Sequence, residues 1–241
     1  MLSARRYRNS LCFIFLVFLL MYNPIYAFGN QKDNGNILIF WTERGSLKAV
    51  TLMCVRGPRS PVGIVGIPVH IRISKDGANP TIAETYGRQG MQGLTAALEE
   101  MFRADIGSYL AVDQSTLDKV SNIIGPVIME NRVTTMSDVF EGTYTENEIE
   151  PQSEIRRLAA QLVTPQVLIK LPQMVRIFCS EVKTNLGFSN ILNIYRAVEL
   201  QGPDILRKKA LTGRDYYINN CKYRDVPQET WVKALNEVTG V

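Results

Sequence analysis

Histidine is nearly missing from these 241 residues, His70 being the only one. That excludes a multi-histidine metal site and makes any serine or cysteine triad depend on a single side chain. Nucleotide loops are missing as well. No Gly-Lys-Ser/Thr run occurs, and Gly63-Ile64-Val65-Gly66 lacks the third glycine and the following helix of a dinucleotide fingerprint. Cysteines number four. Cys12 lies inside an apolar run, and Cys54, Cys179 and Cys221 are too scattered for a metal-ligand spacing. At most one disulfide can form among these three, and they are expected as small buried hydrophobes. Charge of one sign is scarce too. Lys and Arg outnumber Asp and Glu by 27 to 23, and Arg5, Arg6 and Arg8 account for three of that excess of four. The remainder is close to neutral, which argues against a nucleic-acid partner.

What is present begins with an export signal. The three arginines precede an unbroken apolar run of 12 residues, Leu11 to Tyr22, then the breaker Asn23-Pro24 and Ile25-Tyr26-Ala27. The run suits a signal-peptide core and falls short of the roughly 20 residues that span a bilayer. Residues 1–27 are therefore expected as a signal peptide cut after Ala27, or as an uncleaved signal anchor reaching Phe28 with its basic end inside. Either way the rest of the chain is placed outside the cytoplasm, secreted or held at the outer face of the membrane, with 28–36 as a polar linker.

From Ile37 onward the apolar pattern alternates between strand and helix. Ile37 to Trp41 and Leu47 to Val55 predict buried strands. A third strand is expected from Val62, with Val69, Ile71 and Ile73 facing one way and His70, Arg72 and Ser74 the other. Met91, Leu94, Leu98 and Met101 recur at helical spacing over 89–102, and Leu117, Val120, Ile123 and Ile124 do so over 115–124, with Ser115 as the expected cap and Gly125-Pro126 as the stop. Short strands are expected at 108–112 and 127–129, a polar loop from Thr134 to Pro151, and helices over 153–163, 165–182 (interrupted at Pro172), from Ser189 to about Leu200, and 230–238. Further strands are expected at 205–211 and 216–218. This succession predicts an α/β class, with a central sheet covered by helices on both faces.

Chemistry is harder to read from spacing. Basic residues cluster as Arg44 with Lys48, Arg56 with Arg59, and Arg156 with Arg157. Each is an ordinary solvated turn or face, or alternatively a phosphate site built on the planar arginine fork. Glu99-Glu100 and Glu146, Glu148 and Glu150 form no convergent acid and base pair.

The order of segments is similar to a known domain. Tyr86-Gly87 with the helix from Gly90 to Phe102, then Asp105-Ile106-Gly107-Ser108-Tyr109-Leu110-Ala111-Val112-Asp113, then Leu117 to Val127, resembles the middle of the LytR-CpsA-Psr domain. Leu168-Ile169-Lys170-Leu171-Pro172, Thr184-Asn185-Leu186 and Leu211-Thr212-Gly213 resemble its later segments. The resemblance covers about 36–236 and implies one α/β/α domain over 37–241, with a central mixed sheet and an apolar groove for a polyprenyl lipid. Members are exported proteins of mainly Gram-positive bacteria that move glycopolymers from polyprenyl diphosphate carriers to peptidoglycan, with an acid-held magnesium and several arginines on the diphosphate.

On this resemblance, Met91, Leu94, Leu98, Leu117, Val120 and Ile124 are expected to line the groove. Arg44, Lys48, Arg156 and Arg157 are expected to bind phosphate at its mouth, with Glu43 as a candidate acid. The family's acidic positions differ, however. Thr42-Glu43-Arg44 partly matches its Asp-x-Arg-like turn, Gly45-Ser46-Leu47-Lys48 stands where Arg-Ser-Asp-Thr is usual, and Ile67-Pro68-Val69-His70 stands for Ile-Pro-Arg-Asp. Neither an ammonium nor an imidazole replaces a carboxylate on magnesium. The reading is thus a degenerate, non-catalytic member, a pseudoenzyme of the cell envelope that binds a polyprenyl-linked polymer or lipid. No metal or other cofactor is expected, and magnesium enters only if an altered site is active. The alternatives are an active phosphotransferase using Glu43, Arg44, Arg156 and Arg157, and an exported protein-interaction module.

Overall fold

A computed structural model describes residues 35–57, 60–73, 79–129, 131–141, 165–187, 190, 193, 196 and 206–240. The export signal, the segment carrying Arg156 and Arg157, and the expected cap Ser189 lie outside the described residues. Strands β1 (Asn36–Glu43), β2 (Ser46–Val55) and β3 (Val62–Ile67) come first, followed by helix α1 (Ile82–Phe102), strand β4 (Ser108–Asp113) and helix α2 (Gln114–Ile124). Then come β5 (Val127–Met129), β6 (Arg132–Thr134), α3 (Met136–Glu141), α4 (Pro165–Leu168), α5 (Leu171–Glu181) and β7 (Lys183–Thr184). The chain closes with β8 (Leu206–Ala210), β9 (Arg214–Ile218), β10 (Cys221–Asp225) and α6 (Gln228–Thr239). Two compact units result, one from Val112 to Lys183 and one from the segments before and after it.

The larger unit is built on a mixed six-stranded sheet in the order β7-β4-β1-β2-β3-β8. β1 and β3 are each antiparallel to β2, and β8 is parallel to β3, so β1, β3 and β8 all run toward the same edge. The register places Leu38, Leu52 and Val65 side by side, and Phe40, Val50 and Ile67 likewise, so the two-residue period of each strand feeds one apolar face. Helix α1 contributes Ile82, Leu94, Ala97, Leu98 and Phe102 to that core, and α6 contributes Trp231, Ala234, Leu235 and Val238. Phe102 meets Trp231 edge to face, with ring centroids 5.1 Å apart. Such a pair adds about 0.5–1.5 kcal/mol beyond the area it buries.

Local chemistry accounts for where the elements stop and start. Helix α1 begins seven residues before the apolar period suggests, because Thr81 and Glu84 form a reciprocal capping box: Thr81 Oγ1 accepts from Glu84 N at 3.1 Å and Glu84 Oε2 accepts from Thr81 N at 2.7 Å. Gly90, at φ 66°, kinks it and masks its first turns from a periodicity reading. The third strand does not continue to residue 73. Pro68 has no N–H for the ladder, its carbonyl accepts from Ile71 N at 3.1 Å, and the chain turns there. The cap of α2 is Asp113 rather than Ser115, since the Asp113 carboxylate accepts from Ser115 N at 3.0 Å.

The smaller unit has its own core of Ile124, Val127, Met129, Met136, Val139 and Val167, against which Leu117, Val120 and Met174 pack. Part of the expected polar loop is helix α3, held by Asp138, whose carboxylate accepts from the Thr135 hydroxyl at 2.7 Å and from its N–H at 3.2 Å. These bonds keep the Asp138 carboxyl below its ordinary pKa. Pro172 does not kink a continuous helix. It sits in the first turn of α5, where its missing N–H leaves no bond unmade. The final strands form a hairpin, β9 with β10, through Asn219-Asn220 at φ 50° and 62°, the pair of left-handed residues that a two-residue turn requires. The three cysteines from Cys54 onward are free thiols. Cys54 is buried, but Cys179 is only half-buried and Cys221 is exposed, which corrects the expectation that all are core residues.

Candidate functional site

Because β1, β3 and β8 end at one edge of the sheet, the segments that leave them gather there. The β1–β2 turn, the stretch from Pro68 to Arg72, and the chain from Leu211 through β10 carry six basic side chains, Arg44, Lys48, Arg72, Arg214, Lys222 and Arg224, against three acids, Glu43, Asp215 and Asp225. Ligands of open α/β sheets favour the carboxyl ends of the strands, where loops are free to vary and the scaffold stays rigid. An edge with this cationic excess suits an anion.

At the turn, Arg44 (φ 50°) and Gly45 (φ 81°) are both left-handed, which brings Glu43 and Lys48 together across the hairpin. Lys48 Nζ lies 2.6 Å from Glu43 Oε2, with both side chains well exposed. A solvated pair of this kind adds at most about 1 kcal/mol. Its consequence is chemical, since the one carboxylate of the turn already holds an ammonium. Among the described residues no three His, Cys, Asp or Glu side chains gather as a metal group. Magnesium wants hard oxygen ligands, so the donor set at the turn does not fit it.

Beyond Pro68 the chain runs beside β10. Arg224 N donates to the His70 carbonyl at 3.0 Å, and Arg72 N donates to the Arg224 carbonyl at 2.9 Å. Val69 and His70 form the turn that follows Pro68, and Arg72 comes after it in an isolated bridge with Thr81. The Arg72 guanidinium lies 4.5 Å from the centre of the Tyr223 ring and 5.5 Å from that of Tyr216, and those two rings stack on each other at 5.8 Å. The Tyr216 hydroxyl donates to Asp225 at 3.0 Å; burial and that bond raise its pKa.

Asp215 is committed elsewhere, to Arg224 through both carboxylate oxygens and to Lys222 at 2.9 Å. These bonds hold the Asp215 carboxyl far below the usual carboxylate range and raise the Arg224 pKa. Arg224 also donates to the Leu211 carbonyl at 3.1 Å, tying the hairpin to the end of β8. Burial, followed by the positive charges of Arg224 and Lys222, lowers the His70 pKa, with Asp215 pulling the other way. His70 Nε2 and Arg72 Nε are both buried without a hydrogen-bond partner.

Of the residues expected at the site, Glu43, Arg44, Lys48 and His70 lie on segments at this edge, whereas Arg156 and Arg157 fall outside the described residues. Leu94 and Leu98 are fully buried in the core of the larger unit and Met91 is half-buried against it. Ile124 is buried in the core of the smaller unit, with Leu117 and Val120 half-buried beside it. Arg72, Asp215, Tyr216, Tyr223 and Arg224 were not legible as one group, because the stack joins positions more than 140 apart. The available sign was the alternation Lys222-Tyr223-Arg224, facing Asp215-Tyr216-Tyr217 across a two-asparagine turn.

No protein-family profile and no curated protein matches the chain. Solved structures do. B. subtilis TagV matches with a TM-score of 0.62 at 15% identity, over 85% of this chain and 96% of that one. The LytR-CPS2A-psr family protein YwtF (TagT) with bound octaprenyl pyrophosphate lipid matches with a TM-score of 0.58 at 14% identity, over 90% and 95%. Protein gbs0355 from Streptococcus agalactiae matches with a TM-score of 0.64 at 9% identity, over 88% and 91%. Identities this low speak to architecture alone, and on that ground the chain has the fold of the LytR-CPS2A-psr family structures.

Proposed function

We propose that the chain is an exported envelope protein that holds a polyprenyl-phosphate-linked polymer at the carboxyl edge of its sheet and does not transfer it. The observation that carries the non-catalytic half is the Lys48–Glu43 pair, 2.6 Å apart where the resembled family places metal-binding acids. With His70 in place of the other aspartate, the edge attracts a diphosphate directly and gives a divalent ion little to bind. The binding half is supported by the cationic excess of the same edge, and by the octaprenyl pyrophosphate held in a structure of the same fold. Among the side chains proposed to touch the isoprenoid, Met91 of the larger unit keeps surface for it. Export rests on the basic and apolar first 27 residues, which place the polymer contact at the outer face of the membrane.

A transfer assay tests the catalytic half. Purified chain, labelled polyprenyl-linked glycan, a peptidoglycan acceptor and magnesium should give no labelled acceptor. Label transfer that a chelator abolishes would show an active phosphotransferase, with Glu43 released from Lys48 to serve the metal.

A further inference from the structure

We infer that Arg72, its guanidinium held over two stacked hairpin tyrosines, is an oxyanion-binding residue particular to this chain. Neither the segment resemblance nor any expectation from spacing assigns Arg72 a role. The choice of a phosphate-class ligand rests on the proposed function, while the site itself rests on geometry.

Three observations converge on Arg72. Among the described residues no acid pairs with it, the carboxylate of Asp215 being already shared by Arg224 and Lys222. Its planar head is held by the rings of Tyr223 and Tyr216, an arrangement that uses the face of the guanidinium and leaves its edge for hydrogen bonding. Its Nε is buried and unpartnered. A buried donor without an acceptor costs about 1–3 kcal/mol, so a fold that retains one has a use for it.

His70 repeats the pattern. Its Nε2 is also buried without a partner, and its backbone is fixed by Arg224. The charged groups facing it are Arg224, Lys222 and Asp215 on the hairpin. An oxyanion seated at the Arg72 edge would accept from Arg72 Nε–H. That contact is charge-assisted, which is the strong class of hydrogen bond.

The experiment is calorimetry of the full chain in detergent with inorganic pyrophosphate, without metal. Arg72→Gln should weaken binding by at least about tenfold, equivalent to about 1.4 kcal/mol. Arg72→Lys should recover only part, because an ammonium has no fork. Arg132→Gln, on the smaller unit, should change nothing. A folded Arg72→Gln protein that binds pyrophosphate as tightly as the native chain overturns the inference. Should Arg72→Gln fail to fold, the Nε–H resonance of Arg72 in the native protein decides: it should shift on saturation with pyrophosphate, and an unmoved resonance refutes the assignment. Loss of pyrophosphate binding in Arg72→Gln with no retention of polyprenyl phosphate by the native chain would keep this site and remove the proposed function. Polyprenyl diphosphate binding indifferent to Arg72→Gln would do the reverse.

Discussion

A single methyl group at Gly63 tests how tightly α6 is seated on the sheet. A Cβ placed there would lie 2.6 Å from Val238 Cγ2, 3.0 Å from Val238 Cβ and 3.1 Å from the Val238 carbonyl. Ordinary contact begins near 3.4 Å, so the helix or the valine must retreat by 0.8 Å at the first atom. The helix cannot slide freely, because Trp231 is fully buried against Phe102 one face along, and Leu235 and Val238 enter the same core. Overpacking of this kind costs about 1–3 kcal/mol. Val238→Ala alone should cost about 1–2 kcal/mol for the lost methyl groups and the cavity they leave. Combined, the two should interfere less than additively, since Val238→Ala removes the atom at 2.6 Å while the contacts to Cβ and the carbonyl persist. Urea unfolding of the four proteins gives the coupling, expected near −1 kcal/mol for neighbouring residues that share one space. Strict additivity, or a Gly63→Ala protein as stable as the native one, would refute the close approach of α6 to β3.

Other consequences follow from the edge and the core. The Asp215 carboxyl is held low by Arg224 and Lys222, so the stability its bonds supply is fully present above the ordinary carboxylate pKa and is lost as pH falls from there through the lowered folded-state value. Protection factors of the β9–β10 amides, corrected for the slowing of intrinsic exchange in acid, should fall on acidification, and Asp215→Asn should show the lower protection already at neutral pH; equal protection in both proteins would contradict the tie. Burial pushes the Cys54 thiol up to about 11, whereas Cys221 is exposed. Iodoacetamide at pH 8 should therefore label Cys221 in the folded protein and Cys54 only after denaturation, since the thiolate is the reactive form. Early labelling of Cys54 would mean that the face shared by β2 and α1 opens readily.

The sheet was legible because its signal is local. Ile37 to Trp41 and Leu47 to Val55 are runs that only a strand buries, and they appear as β1 and β2 with little change of boundary. The start of α1 was not, because its first turns carry Gly87 and Gly90 and are specified by the Thr81–Glu84 box instead of by apolar spacing. The alternation of Val69, Ile71 and Ile73 was real as burial, with Ile71 and Ile73 inside, yet the strand ended at Ile67 because proline broke the ladder beneath an intact pattern. At the candidate site, the Glu43–Lys48 pairing lies within one hairpin and is near in sequence. The Arg72–Tyr216–Tyr223 stack is made by a parallel bridge between Ile71 and Arg224, a contact that no local pattern encodes.

Mass spectrometry of lipid extracted from the purified full-length protein tests the proposal that a phosphate-bearing isoprenoid sits at the edge where β1, β3 and β8 end. The extract should contain a polyprenyl phosphate or diphosphate, alone or glycan-linked, in near-stoichiometric amount and lost on washing with excess pyrophosphate. Protein that carries no isoprenoid and takes none up when one is offered in detergent would contradict it.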